Sequence, residues 1–134
     1  MLRYIDVTTQ KRTHFEDITD EVQEVIDEVG IKDGMCYLYV PHTTAGIFIN
    51  ENADPDVKWD VEQILDKLVP WEGDYKHIEG NTAAHMKSIL VGTNTFVPIK
   101  DGKLMLGTWQ GIFLAEFDGP RTRKVIVKLV PDVV

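Results

Sequence analysis

Apolar side chains recur along this chain in two periods, and the switches between them mark the elements. Ile18, Val22, Val25, Ile26 and Val29 fall at i, i+4, i+7, i+8 and i+11, one face of an α-helix. Thr19 is its expected N-cap, Glu21 and Glu24 suit its first turns, and Gly30 stands where a left-handed closing residue belongs. Val57, Val61, Ile64, Leu65 and Leu68 repeat the helical spacing, with Asp54 as N-cap, Pro55 as first helical residue and Pro70 beyond the end. Elsewhere the runs are short, β-branched or aromatic. Strands are predicted over Leu2–Thr8, Gly34–Val40 and Gly46–Asn50, then over Thr95–Ile99, Lys103–Leu106, Trp109–Phe117 and Arg123–Val130. Asp101-Gly102 reads as a hairpin turn and Asp118-Gly119-Pro120 as a second turn. Trp71–Thr82 is polar and reads as a loop, followed by a short helix from Asn81 or Thr82 to Leu90. Successive strands without intervening helices in the C-terminal half predict antiparallel pairing. The class is α+β: mostly antiparallel sheets packed with two or three helices.

Length and composition narrow the picture. With 134 residues the chain is expected to form a single domain over 1–134, and it is too short for a (β/α)8 barrel. The formal charge of −8 repels phosphate backbones, so general nucleic-acid binding is not expected. The single cysteine, Cys36, cannot form an internal disulfide and sits in an apolar run as a small core residue. No apolar run approaches the ~20 residues that cross a bilayer, so a soluble, cytoplasmic protein without a membrane partner is expected.

Three of the four histidines lie in the least core-like segments. His42 heads His42-Thr43-Thr44-Ala45-Gly46 after an apolar strand, and His77 and His85 bracket the loop around Gly80. Three neutral imidazoles could hold Zn2+, Ni2+ or Fe2+ with one position open to water or substrate. On spacing alone, scattered polar histidines are the plainer reading, because His77 and His85 are eight residues apart and meet only if the loop folds back. His14 has no partner pattern and reads as an exposed loop or strand histidine. In Asn50-Glu51-Asn52-Ala53-Asp54-Pro55, a turn and helix cap explain Asp54 and Pro55 but do not call for Asn50, Glu51 and Asn52 together. Glu51 could be a general base there, with the amides orienting a substrate. Gly107 and Gly111 around Trp109 suggest a close backbone approach, with Trp109 either core or an aromatic platform. Arg121-Thr122-Arg123-Lys124 is either a solvated strand end or a phosphate clamp.

Taken together, these segments resemble the YjbQ family, UPF0047. The resemblance rests on His42-Thr43-Thr44-Ala45, Asn50-Glu51-Asn52-Ala53-Asp54-Pro55, Glu79-Gly80-Asn81 with His85, Gly92-Thr93 and Gly107-Thr108-Trp109-Gln110-Gly111. It covers nearly the whole chain. Some members carry Cys where this chain has Ala53, which argues against an essential thiol at that place. The resemblance implies a homotrimer of α+β domains and a secondary thiamine-phosphate synthase activity. It makes His42, His77 and His85 candidate metal or catalytic residues, with Glu51, Asn52 and Asn81 as polar neighbours. Such a transfer would displace diphosphate from a carbon centre, a step that needs cations on the leaving group. A divalent ion (Zn2+ or Mg2+), Lys87, Arg121 and Arg123 are the candidates for that role, and Trp109 is a candidate substrate platform. Two alternatives stand beside this expectation. One is a metal-dependent hydrolase or phosphatase with Glu51 as base, and the other a non-catalytic trimer binding a small anionic, phosphorylated metabolite.

Overall fold

The computed structural model describes residues 1–133. In chain order the elements are β1 (Leu2–Thr8), β2 (His14–Asp17), α1 (Thr19–Val29), β3 (Gly34–Tyr39), β4 (Ala45–Glu51) and α2 (Pro55–Leu68), then α3 (Thr82–Val91), β5 (Asn94–Lys100), β6 (Lys103–Leu104), β7 (Gln110–Glu116) and β8 (Thr122–Pro131). Among the described residues the strands form two antiparallel sheets, a five-stranded one in the order β1-β8-β3-β5-β6 and a three-stranded one in the order β2-β7-β4. The α+β class read from the sequence is the class observed.

Period-two alternation builds the larger sheet. Ile5 and Val7, Cys36 and Leu38, Val97 and Ile99, and Val125, Val127 and Leu129 all point inward. They meet Ile47, Ile112 and Leu114 of the smaller sheet and Val22, Val25 and Ile26 of α1 in one core. Strand β7 is central in its sheet and buried on both faces, which explains its unbroken apolar run. Its other face turns Phe113 and Ala115 into a second cluster with Phe15, Ala84 and Phe117. There Phe15 meets Phe48 and Phe117 edge to face, with centroids 5.2 and 6.0 Å apart. Helices α2 and α3 lie on this side, contributing Leu65 and Ala84.

Three expectations change. The N-cap of helix α1 is Ile18, and Asp17 before it accepts through Oδ1 from the Thr19 N–H at 2.9 Å and its hydroxyl at 2.5 Å. Thr19 is instead the first helical residue, and its Oγ1 accepts from the Ile112 N–H at 2.9 Å, joining the helix to β7. Gly30, at φ 79°, closes the helix in the left-handed conformation as expected. The turn at Asp118-Gly119-Pro120 joins no hairpin, because β7 and β8 lie in different sheets and the turn carries the chain between them. The third change concerns α2. Asp54 caps it through the Asp56 N–H at 2.9 Å, but the helix buries no residue, and Trp59, Ile64 and Leu68 are 62%, 55% and 68% exposed. Met86, Ile89 and Leu90 of α3 and Tyr4, Tyr37, Tyr39 and Phe96 on the outer face of the larger sheet are exposed as well.

Candidate functional site: a histidine cleft where the two sheets meet

The site begins where β3 ends. Pro41 cannot extend the ladder, and the preceding Val40 N–H turns to the Thr93 carbonyl at 2.7 Å. Across the gap, Ser88 of α3 donates to the Ala45 carbonyl at 2.6 Å, and the Ile47 N–H bonds the Gly92 carbonyl at 3.0 Å. These contacts lay α3 along the start of β4 and open a cleft of about 380 Å3 lined by His42, Thr43, His85, Ser88, Ile89, Gly92 and Thr93. The His77 ring stands edge-on to His85, with centroids 5.3 Å apart. The loop does fold back. His14 is elsewhere, on β2, with its Nε2 at 2.9 Å from Glu16.

Beneath the cleft lies a buried ion pair. Glu116, fully buried, accepts from Arg123 Nε at 2.8 Å and Nη2 at 2.5 Å, from the Thr9 hydroxyl at 2.9 Å and from the Asp118 N–H at 3.0 Å. Burial pushes its carboxyl upward, but the hydrogen bonds from Arg123, Asp118 and Thr9 outweigh that and hold it below the usual glutamate range. Arg123 Nη2 also donates to the Thr44 carbonyl at 3.1 Å and the Thr44 hydroxyl at 2.7 Å. The next residue, Lys124, gives its backbone N–H to His42 Nε2 at 2.9 Å. Only an unprotonated nitrogen accepts such a bond, so the ring is neutral and carries its proton on Nδ1. Burial and the charge of Arg123 lower the His42 pKa, and nearby Glu116 opposes them only in part.

Asp118 links two further residues to the ion pair. Its Oδ2 accepts from Asn81 Nδ2 at 2.8 Å and from Arg121 Nη2 at 3.2 Å. Asn81 immediately precedes α3, one turn before His85, so the two residues share a helix face. Asn81 Oδ1 and Thr82 Oγ1 are buried with no partner among the described residues. Of the residues expected at the site, His42, His77, His85, Asn81 and Arg121 are therefore gathered around one place.

The others are placed differently. Arg123 is buried, with its guanidinium engaged by Glu116 and Thr44, and so does not face a substrate phosphate. Lys87 is buried too, and its ammonium pairs with Asp66 of α2. Glu51, Asn52 and Trp109 lie at the opposite end of β4 from His42. At ~3.4 Å per residue that strand separates its ends by about 20 Å. There Glu51 Oε2 accepts from the Ala53 N–H at 3.0 Å, Asn52 Nδ2 donates to Asp17 at 3.3 Å, and the Asn52 N–H bonds the Trp109 carbonyl at 2.9 Å. A Cβ on Gly111 would stand 2.6 Å from Asn52 Nδ2, which is the close approach its glycine signalled. Trp109 is 63% exposed, not core. Among the described residues no three His, Cys, Asp or Glu side chains are arranged to hold a metal ion. Because His42 Nε2 is already engaged by Lys124, the residues of one chain do not fit a three-histidine ion in this arrangement. Sequence reasoning overlooked Thr44, Glu116 and Asp118. The available signal was Glu116 itself, a lone carboxylate closing the apolar run Ile112–Ala115 before Phe117.

Two antiparallel sheets with a histidine cleft at their junction define the class of domain. The family described as UPF0047 protein YjbQ-like matches residues 3–132, and the chain belongs to that family. It is 53% identical over 131 residues to the UPF0047 protein YugU of Bacillus subtilis, covering 97% of this chain and 99% of that one. A UPF0047 protein of Methanocaldococcus jannaschii is 53% identical over 132 residues, 98% of this chain and 96% of the relative. Among solved structures, an uncharacterised YjbQ/UPF0047 protein of Clostridium acetobutylicum superposes with a TM-score of 0.93 at 53% identity, covering 96% of this chain and 99% of the other. A protein of Sulfolobus solfataricus described as of unknown function gives a TM-score of 0.93 at 34% identity, over 98% and 97% of the two chains.

Proposed function

We propose that the histidine cleft binds a small phosphorylated metabolite and that the chain is an enzyme of the thiamine-phosphate-synthase-like kind. The observation behind this reading is that His42 and His85 face one cleft of about 380 Å3. Arg121 is near enough for its charge to act on His42, on a protein whose net charge is −8. In the transfer, a thiazole nitrogen attacks the methylene carbon attached to a pyrimidine, forming an N–C bond while the C–O bond to diphosphate breaks and diphosphate departs with the bonding electrons. Negative charge on the departing oxygens is what a protein can stabilise, with fixed donors in a partly dry cleft. His42 Nδ1–H is such a donor, Arg121 supplies charge, and half-buried His85 is the candidate to give a proton to the departing diphosphate oxygen. No step is assigned to a metal.

The test is to supply purified protein with both precursor phosphates and follow thiamine phosphate. His42→Ala and His85→Ala should each lower the rate by about 10²–10⁴-fold, the usual size of a lost acid–base or donor role. Release of inorganic phosphate without coupling would assign hydrolysis instead. Saturable binding without turnover would reduce the cleft to a binding site.

We further propose that the chain works as a homotrimer. The exposed apolar side chains of α2, α3 and the larger sheet's outer face support association. The number three follows from the family resemblance.

A further inference from the structure

We propose that the buried Glu116–Arg123 pair is a positioning device that presents His42 to the cleft as a neutral ring with Nδ1–H outward, so that this subsite takes an acceptor oxygen, phosphoryl or carboxylate, and not a cation. The proposal rests on the cleft being the functional site, but its chemistry belongs to the protein alone. Two arms run from the pair to His42. One is Arg123 Nη2, which grips the carbonyl and hydroxyl of Thr44, two residues beyond the histidine, at 3.1 and 2.7 Å. The other is the neighbouring N–H of Lys124, which meets Nε2 at 2.9 Å. Both come from consecutive residues of β8, so the depth at which Arg123 seats itself against Glu116 also sets where the Lys124 N–H lies.

The pair is a weak candidate for stability alone, because a buried ion pair often adds less than apolar residues of the same volume. It is instead fully provided with partners, and one of them, Thr44, lies two residues beyond His42 of the cleft. Thr9 and the Asp118 N–H complete the carboxylate, at 2.9 and 3.0 Å. Asp118 in turn holds Arg121 and Asn81, the latter one turn before His85. The buried carboxylate thus reaches Thr44 through Arg123 and Asn81 through Asp118. The ring it orients has its Nε2 lone pair occupied, which leaves Nδ1–H as a donor with no lone pair to offer a metal.

Nitrogen-15 NMR of histidine-labelled protein reads this directly, with His42→Gln identifying the resonances. Wild type is expected to show His42 as one neutral tautomer, protonated at Nδ1, and inorganic phosphate should shift that proton. Arg123→Lys, whose compact ammonium cannot fork to Glu116 and Thr44 together, should move His42 towards the tautomer mixture of a free ring. Thr44→Val removes one contact and should move it part of the way. A wild-type ring protonated at Nε2 overturns the proposal, and so does an unchanged His42 signal in folded Arg123→Lys. If Arg123→Lys does not fold, an unchanged signal in Thr44→Val overturns it. A failed synthase assay alongside an intact Nδ1–H signal would overturn the reaction and leave the positioning standing.

Discussion

A carboxylate removed from water must be matched or neutralised, and Glu116 is matched by Arg123, Thr9 and the Asp118 N–H. Glu116→Gln should therefore destabilise the protein by about 3–5 kcal/mol in urea unfolding, since it leaves Arg123 buried without its counter-charge. The pH dependence follows from two lowered pKa values. His42 lies below 6.5 and Glu116 below 4.5 in the folded chain, and unfolding returns each to its ordinary value. The unfolded state then binds more protons, so stability is complete above pH 6.5 and declines as pH falls. His42 contributes first, and Glu116 follows below 4.5. Urea midpoints measured from neutral pH downward should show this decline, and His42→Gln should flatten its upper part. A protein that gains stability on acidification through 6.5 would contradict the assignment. Burial pushes the Cys36 thiol up to about 12, so a thiol reagent at pH 8 should label it only after denaturant is added.

Among the elements, β7 and α2 are opposites. Strand β7 is paired on both edges and buried on both faces, and Leu114 is fully buried within it. Leu114→Ala should cost about 2–5 kcal/mol by thermal or urea unfolding, the sum of lost burial and the cavity left behind. Helix α2 has correct start signals and a correct apolar stripe, yet the stripe meets little of its own chain. Its local signals still count. Asp54→Ala should cost about 1 kcal/mol through loss of the cap to the Asp56 N–H. The boundaries of α1 and α2 were legible because caps, proline and helical spacing act within a few residues. What α2 packs against was not, because an apolar face is the same whether its partner lies within the chain or on another copy.

For the molecule as a whole, the exposed apolar side chains of α2 and α3 make association the central prediction. Light scattering at micromolar concentration should give about three times the 15.2 kDa chain mass. Ile64→Asp combined with Leu68→Asp should shift the mass towards one chain while leaving β-sheet circular dichroism intact, since both side chains are exposed in the single chain. A monomeric wild type with full activity would refute the trimer. Association could also bring distant features together, since Glu51 and Asn52 lie about 20 Å along β4 from the histidine cleft within one chain.

Short-range physics made the elements readable from the residues alone: alternation gave the strands, helical spacing and caps gave the helices, and polar histidines beside apolar strands marked His42 and His85. Those features depend on neighbours a few positions away, so the order of residues is enough to express them. Pairing and convergence depend on residues far apart in the chain. Arg123 reads as an exposed strand end until β8 turns it inward onto Glu116 of the other sheet, leaving it fully engaged. Glu51 reads as a neighbour of His42, nine positions away, until the extended backbone of β4 carries it to the other end of the sheet. Burial and strand direction decided both, and both arise only when the two sheets close over a shared core.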